Sequence, residues 1–301
     1  MAKQKVLVIV GPTGIGKTAL SIECAKKLDG EIISGDSMQV YRKMDIGTAK
    51  IKEEEKQGIA HYLLDIQDLS DPYNVQIFQK SCREAIDEIE SHHHLPIICG
   101  GTGLYLKAAL YDYVFEEEQY DAQYDAYLKE KDTEQLYALL QQIDPDSCTI
   151  IHPNNRKRIL RALHIAHTGK TKSEREQDQR HEPLYDVLWI GLDLDREQLS
   201  ERIDERVDYM FEEGLIDEVT SLFSDPKTWE YTSFQGIGYK EFKPYFLNEQ
   251  SIEEVKEKIK IHTRQYAKRQ MTWFRHQIPV CWFNKNDTAQ IMKKIEEWYH
   301  E

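Results

Sequence analysis

Residues 5–28 read "KVLVIVGPTGIGKTALSIECAKKL". The first six form a short β-branched run that stops at Gly11, and the apolar residues from Lys17 onward recur at helical spacing. The order is strand, glycine-rich loop, helix. Between the two elements "GPTGIGKT" (11–18) satisfies G-x-x-x-x-G-K-[ST] in the context that motif requires, which separates it from a chance glycine-rich turn. Gly11, Gly14 and Gly16 let the backbone curl so that its N–H groups and the helix N-terminus converge on phosphate oxygens. Lys17 adds a point charge, and the Thr18 hydroxyl can hold Mg²⁺. The loop Gly11, Pro12, Thr13, Gly14, Ile15, Gly16, Lys17 and Thr18 is therefore expected to bind a diphosphate or nucleotide.

The same alternation continues outward. "EIIS" (31–34) reads as a second strand, "NVQIFQKSCREAIDEIESHH" (74–93) as a helix with Asn74 at its N-cap, and "PIICGG" (96–101) as a third, buried strand. Strands alternating with helices imply a parallel sheet whose active face lies at the carboxyl ends of its strands. From about Val114 the pattern changes: "YDAQYDAYLKEK", "TEQLYALLQQI" and "NNRKRILRALHIAHTG" follow as helix after helix, and no strand appears until "DVLWIGLDL" (186–194). The expected fold class is α/β: a P-loop NTPase-like parallel-sheet core, residues 1–113 and 185–301, with an all-helical insertion domain, residues 114–184. The core resumes with "REQLSERIDERVDYMFEEGLIDEVTSLF", a long helix over 251–275, the strand "PVCWF" (279–283) and a final helix.

At 301 residues, 40% of them hydrophobic and 31% charged, the composition is that of a soluble globular protein with a substantial core. No apolar run approaches the ~20 residues of a membrane span, and the N-terminus enters a strand pattern without a cleavable apolar segment. A cytoplasmic protein without a membrane partner is expected, and no obligate protein partner is evident. Cys24, Cys82, Cys99, Cys148 and Cys281 are scattered and lack CxxC or zinc-type spacing, which favours buried reduced thiols over disulfides or structural zinc. The net charge of −14 argues against a nucleic-acid partner only on average, because distribution decides the matter. Acids gather in "FEEEQYDAQYD" while bases gather in "NNRKRILR" and "TRQYAKRQMTWFR", so basic surfaces can coexist with an acidic whole.

A phosphate loop does not by itself name a reaction. An ATPase or GTPase would carry a metal-holding Asp at the end of a strand, yet the third expected strand ends "IICGGTGLY" without an acid. The acid comes instead after the second strand, Asp36 in "SGDSMQVY", where neighbouring strand ends bring it near the loop. It can serve a second substrate as general base, or it can be only a cap or turn residue before "SMQVY".

In order along the chain, "GPTGIGKT", "SGDSMQVYRKMDIGTAK", "GGTGLYLKAAL", "HPNNRKRILRAL", "GIGYKE" and "TRQYAKRQMTWFR" resemble the motifs of the tRNA dimethylallyltransferases, or tRNA isopentenyltransferases. The likeness runs from residue 11 to 275. It implies transfer of a dimethylallyl group from dimethylallyl diphosphate, with Mg²⁺, to the exocyclic N6 amine of the adenosine 3′-adjacent to the anticodon in tRNAs reading codons that begin with U. Under that resemblance Lys17 and a Thr18-bound Mg²⁺ stabilise the diphosphate leaving group, Arg206 is a further diphosphate ligand, and Asp36 is the base for the adenine amine. Ser37, Met38 and Gln39 would touch neighbouring nucleotides, and Thr102 would meet the extruded base or its ribose. Arg156, Lys157, Arg158 and Arg161 would contact phosphates of the anticodon stem-loop, and Gln235, Gly236, Gly238 and Lys240 would form a further tRNA contact. Blander readings stand beside these: a surface Arg206 paired with a neighbouring acid, Gly100 and Gly101 as the close-packed end of a strand, and a solvated basic helix face at 156–161.

Two positions depart from the family pattern: Ile15, expected to narrow the donor pocket, and Tyr62, where a second His would be usual. No zinc-finger extension like that of eukaryotic members appears, so a bacterial or similarly minimal form is expected. Arg264, Lys268 and Arg269 are spaced to share a helical face, whereas Tyr266, Trp273 and Phe274 read as core. "HHH" (92–94) reads as solvent-exposed loop histidines. The rival activities are an adenylate isopentenyltransferase acting on free nucleotide, a P-loop kinase and a non-catalytic, NTP-gated RNA-binding protein.

Overall fold

The computed structural model describes residues 3–116, 121–223 and 226–301. Its strands are β1 (Lys5–Val10), β2 (Gly30–Gly35), β3 (His61–Tyr62), β4 (Leu95–Gly100), β5 (Asp186–Asp193) and β6 (Cys281–Asn284). They form one parallel sheet in the order β3-β2-β4-β1-β5-β6. From β1 the chain departs toward β2 on one side, and from β4, its neighbour, toward β5 on the other. Adjacent strands whose connections leave in opposite directions open a crevice at their carboxyl ends, so the topology places a site beyond Val10 and Gly100.

The alternation within β1 explains why the strand is apolar throughout. Val6, Val8 and Val10 pack on one face with Ile98, Trp189, Phe78 and Ile86, while Leu7 and Ile9 pack on the other with Ile97, Ile190, Leu20 and Ile295. A parallel strand covered by helices on both faces has no polar side to present. The helix Lys17–Leu28 covers one face, and Val75–Ser91 covers the other. Asn74 starts the second of these by accepting the N–H groups of Gln76 and Ile77 at 2.9 and 3.0 Å, a cap worth about 1 kcal/mol.

Several boundaries differ from the sequence pattern. "PIICGG" is the fourth strand, because the edge strand β3 precedes it; its two residues are too few to display a period. Gly214, at φ 97°, divides the stretch after β5 into helices Arg196–Glu212 and Leu215–Leu222. The long helix spans Ile252–Gln277, opened by a capping box between Ser251 and Glu254. All five cysteines are free thiols. No helix among the described residues is long and apolar enough to cross a membrane.

The chain divides into a core unit, Met1–Tyr111 with Pro183–Glu301, and an insert, Asp112–Glu182. Each junction falls two residues before the change of pattern in the sequence. Residues 117–120, which hold part of the acid cluster and the first residue of the helix expected from 120, lie outside the described residues.

The insert comprises helices Ala122–Lys129, Thr133–Ile143, Pro145–Cys148, Arg156–His167 and Lys172–Gln177 among its described residues. It has its own small core of Leu128, Leu136, Leu140, Ile151, Ile159, Ala162 and Leu163. Asp144, 1% exposed, ties two of the helices together. It accepts the hydroxyls of Ser147 and Ser173, each at 2.6 Å, and both their N–H groups at 3.1 Å. A buried carboxylate is tolerable here because four donors replace its lost water.

Candidate active site

The loop after β1 takes a shape only glycine adopts easily: Gly11, Gly14 and Gly16 have φ of 146°, 80° and 106°. At Gly11 a Cβ would also stand 2.8 Å from the Leu192 carbonyl oxygen, so the loop lies tight against the end of β5. Lys17 folds back over this loop, its Nζ donating to the carbonyls of Gly11 and Pro12 at 3.0 and 2.9 Å. Burial lowers its pKa to about 8, opposed by Cys99, reinforced by Arg206 and opposed by Asp36. The ammonium is thus held where water does little for it, an arrangement that suits an incoming polyanion. Thr18 is exposed in the same cleft.

That cleft has a volume of about 530 Å³ and is lined by Thr13, Gly14, Gly16, Lys17 and Thr18 from the loop. Asp36, Gln39, Arg202, Arg206, Tyr266 and Gln270 also face it. Arg202 donates from Nε to the Gly14 carbonyl at 3.1 Å, and Arg206 approaches Thr13 Oγ1 at 3.4 Å. The two arginines therefore flank the loop, and neither Glu201 nor Asp208 holds Arg206, since Asp208 pairs with Lys256 and Lys260. Burial lowers the Arg206 pKa while the Asp36 charge opposes that shift.

A second cavity of about 320 Å³ adjoins the first. Ser37, Met38, Gln235, Gly236, Gly238 and Lys240 line it, together with Arg269 and the apolar Ile203, Val207 and Met210. Thr13, Thr48, Asp36, Arg206 and Tyr266 line both cavities, so they stand at the junction. Asp36 Oδ1 accepts the Met38 N–H at 2.8 Å, which makes the residue a turn-former as well. Its Oδ2 has no hydrogen-bond partner among the described residues. Beside them Thr102 Oγ1 accepts the Ser37 N–H at 3.3 Å. Gly100 ends its strand where a Cβ would fall 2.2 Å from the Gly35 carbonyl oxygen, so close packing explains that glycine.

Two supporting residues were not singled out in the sequence. Gln270, 5% exposed, accepts the Thr13 N–H at 3.1 Å and donates to the Gly101 carbonyl at 3.0 Å, bridging the loop to the end of β4. It lies one helical turn from Tyr266, and that shared face was the only available hint. Glu218 accepts the N–H groups of Asp45, Ile46 and Gly47 at 2.9, 2.7 and 3.1 Å and the Tyr239 hydroxyl at 2.7 Å. It thereby pins the segment whose Thr48 and Ala49 border the first cavity.

Three expectations need correction. Ile15 does not narrow the cleft: its side chain is 1% exposed and packs under the loop with Leu20 and Leu192. Tyr266 is not core but a half-buried wall of both cavities, its hydroxyl pKa pushed up to about 12 by burial and by Asp36. Gln39 faces the first cavity, yet its amide is occupied, accepting from Ser34 Oγ at 3.0 Å and donating to the Thr48 and Ala49 carbonyls at 3.3 and 3.4 Å. His92 and His93 are exposed in a turn, as expected of loop histidines, and His92 and His94 also face Glu31. Arg264, in turn, pairs with Asp204. Trp273 is half-buried and Phe274 fully buried, as core residues are.

In the insert, Lys157, Arg158 and Arg161 are exposed on helix Arg156–His167, whose Ile159, Ala162 and Leu163 face its core. Arg156 is half-buried and reaches the Lys129 carbonyl at 3.5 Å.

Comparison with known proteins fits this site to a family. The profile described as IPP transferase matches residues 39–277. The chain is 50% identical over 299 residues to the tRNA dimethylallyltransferase of Geobacillus kaustophilus, covering 98% of this chain and 95% of the relative. The corresponding Bacillus licheniformis protein is 46% identical over 300 residues, with the same coverage. Among solved structures, the tRNA isopentenylpyrophosphate transferase of Staphylococcus epidermidis aligns with TM-score 0.73 at 44% identity, covering 98% of this chain and all of that one. A eukaryotic dimethylallyltransferase acting on tRNA aligns with TM-score 0.82 at 35% identity, over 95% of this chain and 75% of that one.

Proposed function

The chain belongs to the IPP transferase family, and from that premise we propose that it prenylates tRNA: a dimethylallyl group passes from dimethylallyl diphosphate to the N6 amine of the adenosine 3′-adjacent to the anticodon. The tRNAs concerned read codons that begin with U, and the products are N6-isopentenyladenosine and diphosphate. Such an acceptor places the reaction in the cytoplasm. The observation that carries the reading is the junction: Asp36, Arg206 and Tyr266 border both cavities, one built around the phosphate loop and the other around Met38 and Gly236.

The donor's diphosphate takes the first cavity, against the loop N–H groups, Lys17 and Arg206. The bond that breaks is carbon to oxygen, and the charge that accumulates on the leaving oxygen meets donors already in place. Thr18, exposed in the cleft, offers a hydroxyl that would hold a hard cation such as Mg²⁺. Bound Mg²⁺ would supply further neutralisation of the diphosphate. The adenine, extruded from the loop stack at a cost of a few kcal/mol, enters by the second cavity. Its amine is a weak nucleophile because the lone pair is delocalised into the ring. Asp36 Oδ2 accepts the amine hydrogen and takes the proton as the N–C bond forms, a contribution of roughly 10²- to 10⁴-fold. Ser37, Met38, Gln235, Gly236, Gly238 and Lys240 then flank the nucleotide, with Thr102 behind Ser37, and the basic helix of the insert holds phosphates of the stem-loop.

The test is direct. The protein is incubated with Mg²⁺, dimethylallyl diphosphate and an unmodified tRNA of this class, with AMP as a parallel acceptor, and nucleosides are read by mass spectrometry. Prenylated tRNA with untouched AMP is expected. Prenylated AMP alone would move the activity to free nucleotides, and no product on either would overturn the reading.

A further inference from the structure

At the end of the sheet opposite the cleft, Glu31, His92 and His94 each offer a ligand atom, and these atoms lie within 4.8 Å of one another. Glu31 sits on β2 and is 8% exposed; His92 and His94 belong to the turn that leads into β4. The carboxylate is fixed from behind, because Tyr62 donates its hydroxyl to Oε2 at 2.7 Å. Oε1 is thereby aimed at His94 Nδ1, 2.5 Å away, and His92 Nδ1, 3.4 Å away. The other ring nitrogen of His94, Nε2, has Asp29 Oδ1 at 3.7 Å.

This pattern has the parts of a metal centre. Two ligands at the tetrahedral angle, each bonded at 2.0–2.2 Å, stand about 3.4 Å apart. The separation of His92 Nδ1 from Glu31 Oε1 already has that value. The direct His94 to Glu31 hydrogen bond must open by about 1 Å to admit an ion between the same two atoms. Both imidazoles are partly exposed, so water can reach the site to complete the coordination. A carboxylate held by a tyrosine hydroxyl, and a histidine backed by a carboxylate, are the supports that orient ligands around such ions. Two imidazoles with one carboxylate suit zinc and its neighbours, whereas Mg²⁺ prefers an all-oxygen set.

We propose that Glu31, His92 and His94 form a three-ligand zinc-binding site, separate from the catalytic cleft, that clasps the amino-terminal ends of β2 and β4. The opposite ends of the same strands carry Gly35 and Gly100, beside Asp36 and Thr102. Zinc bound there stabilises the sheet that positions the catalytic groups without touching substrate.

Chelator-treated full-length protein is dialysed against Zn²⁺ in the presence of Mg²⁺ and its metal content measured, with thermal melts of the same samples. One zinc per chain is expected, with a higher Tm than the metal-stripped protein. The equivalent is lost in the His92→Ala/His94→Ala double variant, whose changes lie at partly exposed rings, and affinity falls about 10- to 100-fold in Tyr62→Phe. Should the double variant prove unstable, His92→Ala alone is expected to weaken binding by at least about tenfold. Co²⁺ substitution separates this site from the cysteines, since nitrogen and oxygen ligands give no thiolate-to-cobalt charge-transfer band. Wild-type protein that retains no zinc, a histidine variant that keeps its equivalent at unchanged affinity, or a thiolate band in the cobalt spectrum would each overturn the assignment.

Discussion

The cleft and the basic helix of the insert both present positive charge, but they are built by opposite means. In the cleft nearly every polar group is placed by another: Lys17 by two carbonyls, Thr13 by Gln270, Arg202 by Gly14, and the neighbouring turn by Glu218. On the insert, Lys157 and Arg158 project into solvent from a helix whose other side is core. Fixed, half-buried charge acts where charge develops during a reaction, because no reorganisation is needed at that moment. Exposed charge acts at longer range, is screened by salt and contributes affinity rather than rate. Defects in the two regions should therefore separate, one falling on chemistry and the other on tRNA affinity.

The largest expected effect tests the cleft. Asp36→Asn keeps the acceptor for the Met38 N–H but loses the base, so single-turnover prenylation should fall by about 10²- to 10⁴-fold while tRNA affinity is unchanged. A matching loss of tRNA binding would mean that Asp36 serves only the turn. Lys17→Ala should follow, lowering use of the diphosphate donor by about 10²- to 10³-fold; equal losses for donor and tRNA would indicate misfolding instead. The same lysine gives a pH signature. Burial holds its pKa down to about 8, so the ammonium is present below that value and lost above it. Because kcat/KM reports the free enzyme, donor kcat/KM should be level at neutral pH and decline as pH rises through about 8, and Lys17→Arg should remove that limb.

Gln270→Leu probes support rather than contact. The change frees the Thr13 N–H and the Gly101 carbonyl, so the loop loses its tie to β4. A misplacement of about 1 Å can cost 10²-fold in rate, and a loss of up to that size in kcat, exceeding the change in tRNA affinity, is the expected outcome by steady-state kinetics. Gln270→Glu retains the acceptor for Thr13 and should recover part of it.

How much of this was legible from sequence follows the range of the interactions. The glycine-rich loop was readable because its geometry is local: glycine spacing, one lysine and one threonine between a strand and a helix. The helix start at Asn74 was readable for the same reason, through capping and periodicity. Gln270 and Glu218 were not, because each acts on backbone groups about 170 residues away or more, and nothing in their own surroundings marks them. Tyr266 was misread for a related reason: an aromatic at helical spacing is usually core, and only the assembled core unit shows a cavity on either side of it. The histidines at 92–94 needed Glu31 and Tyr62, brought beside them by the pairing of β2 with β3 and β4.

The smallest effect is expected on the insert, and the structure decides which residues test it cleanly. Arg156 is a poor choice, since it is half-buried and reaches the Lys129 carbonyl, so removing it disturbs contacts between helices as well as charge. Lys157 and Arg158 are exposed and can be neutralised to Gln without cost to the core. The double change should weaken tRNA binding several-fold at moderate salt and leave turnover at saturating tRNA unaltered. It should also lower the slope of log K against log salt by about 0.7 to 0.9 for each phosphate contact removed. A slope that stays the same would take this helix face out of the tRNA contact, and a fall in turnover at saturation would break the separation between region and role, because exposed charge would then be contributing to the chemical step.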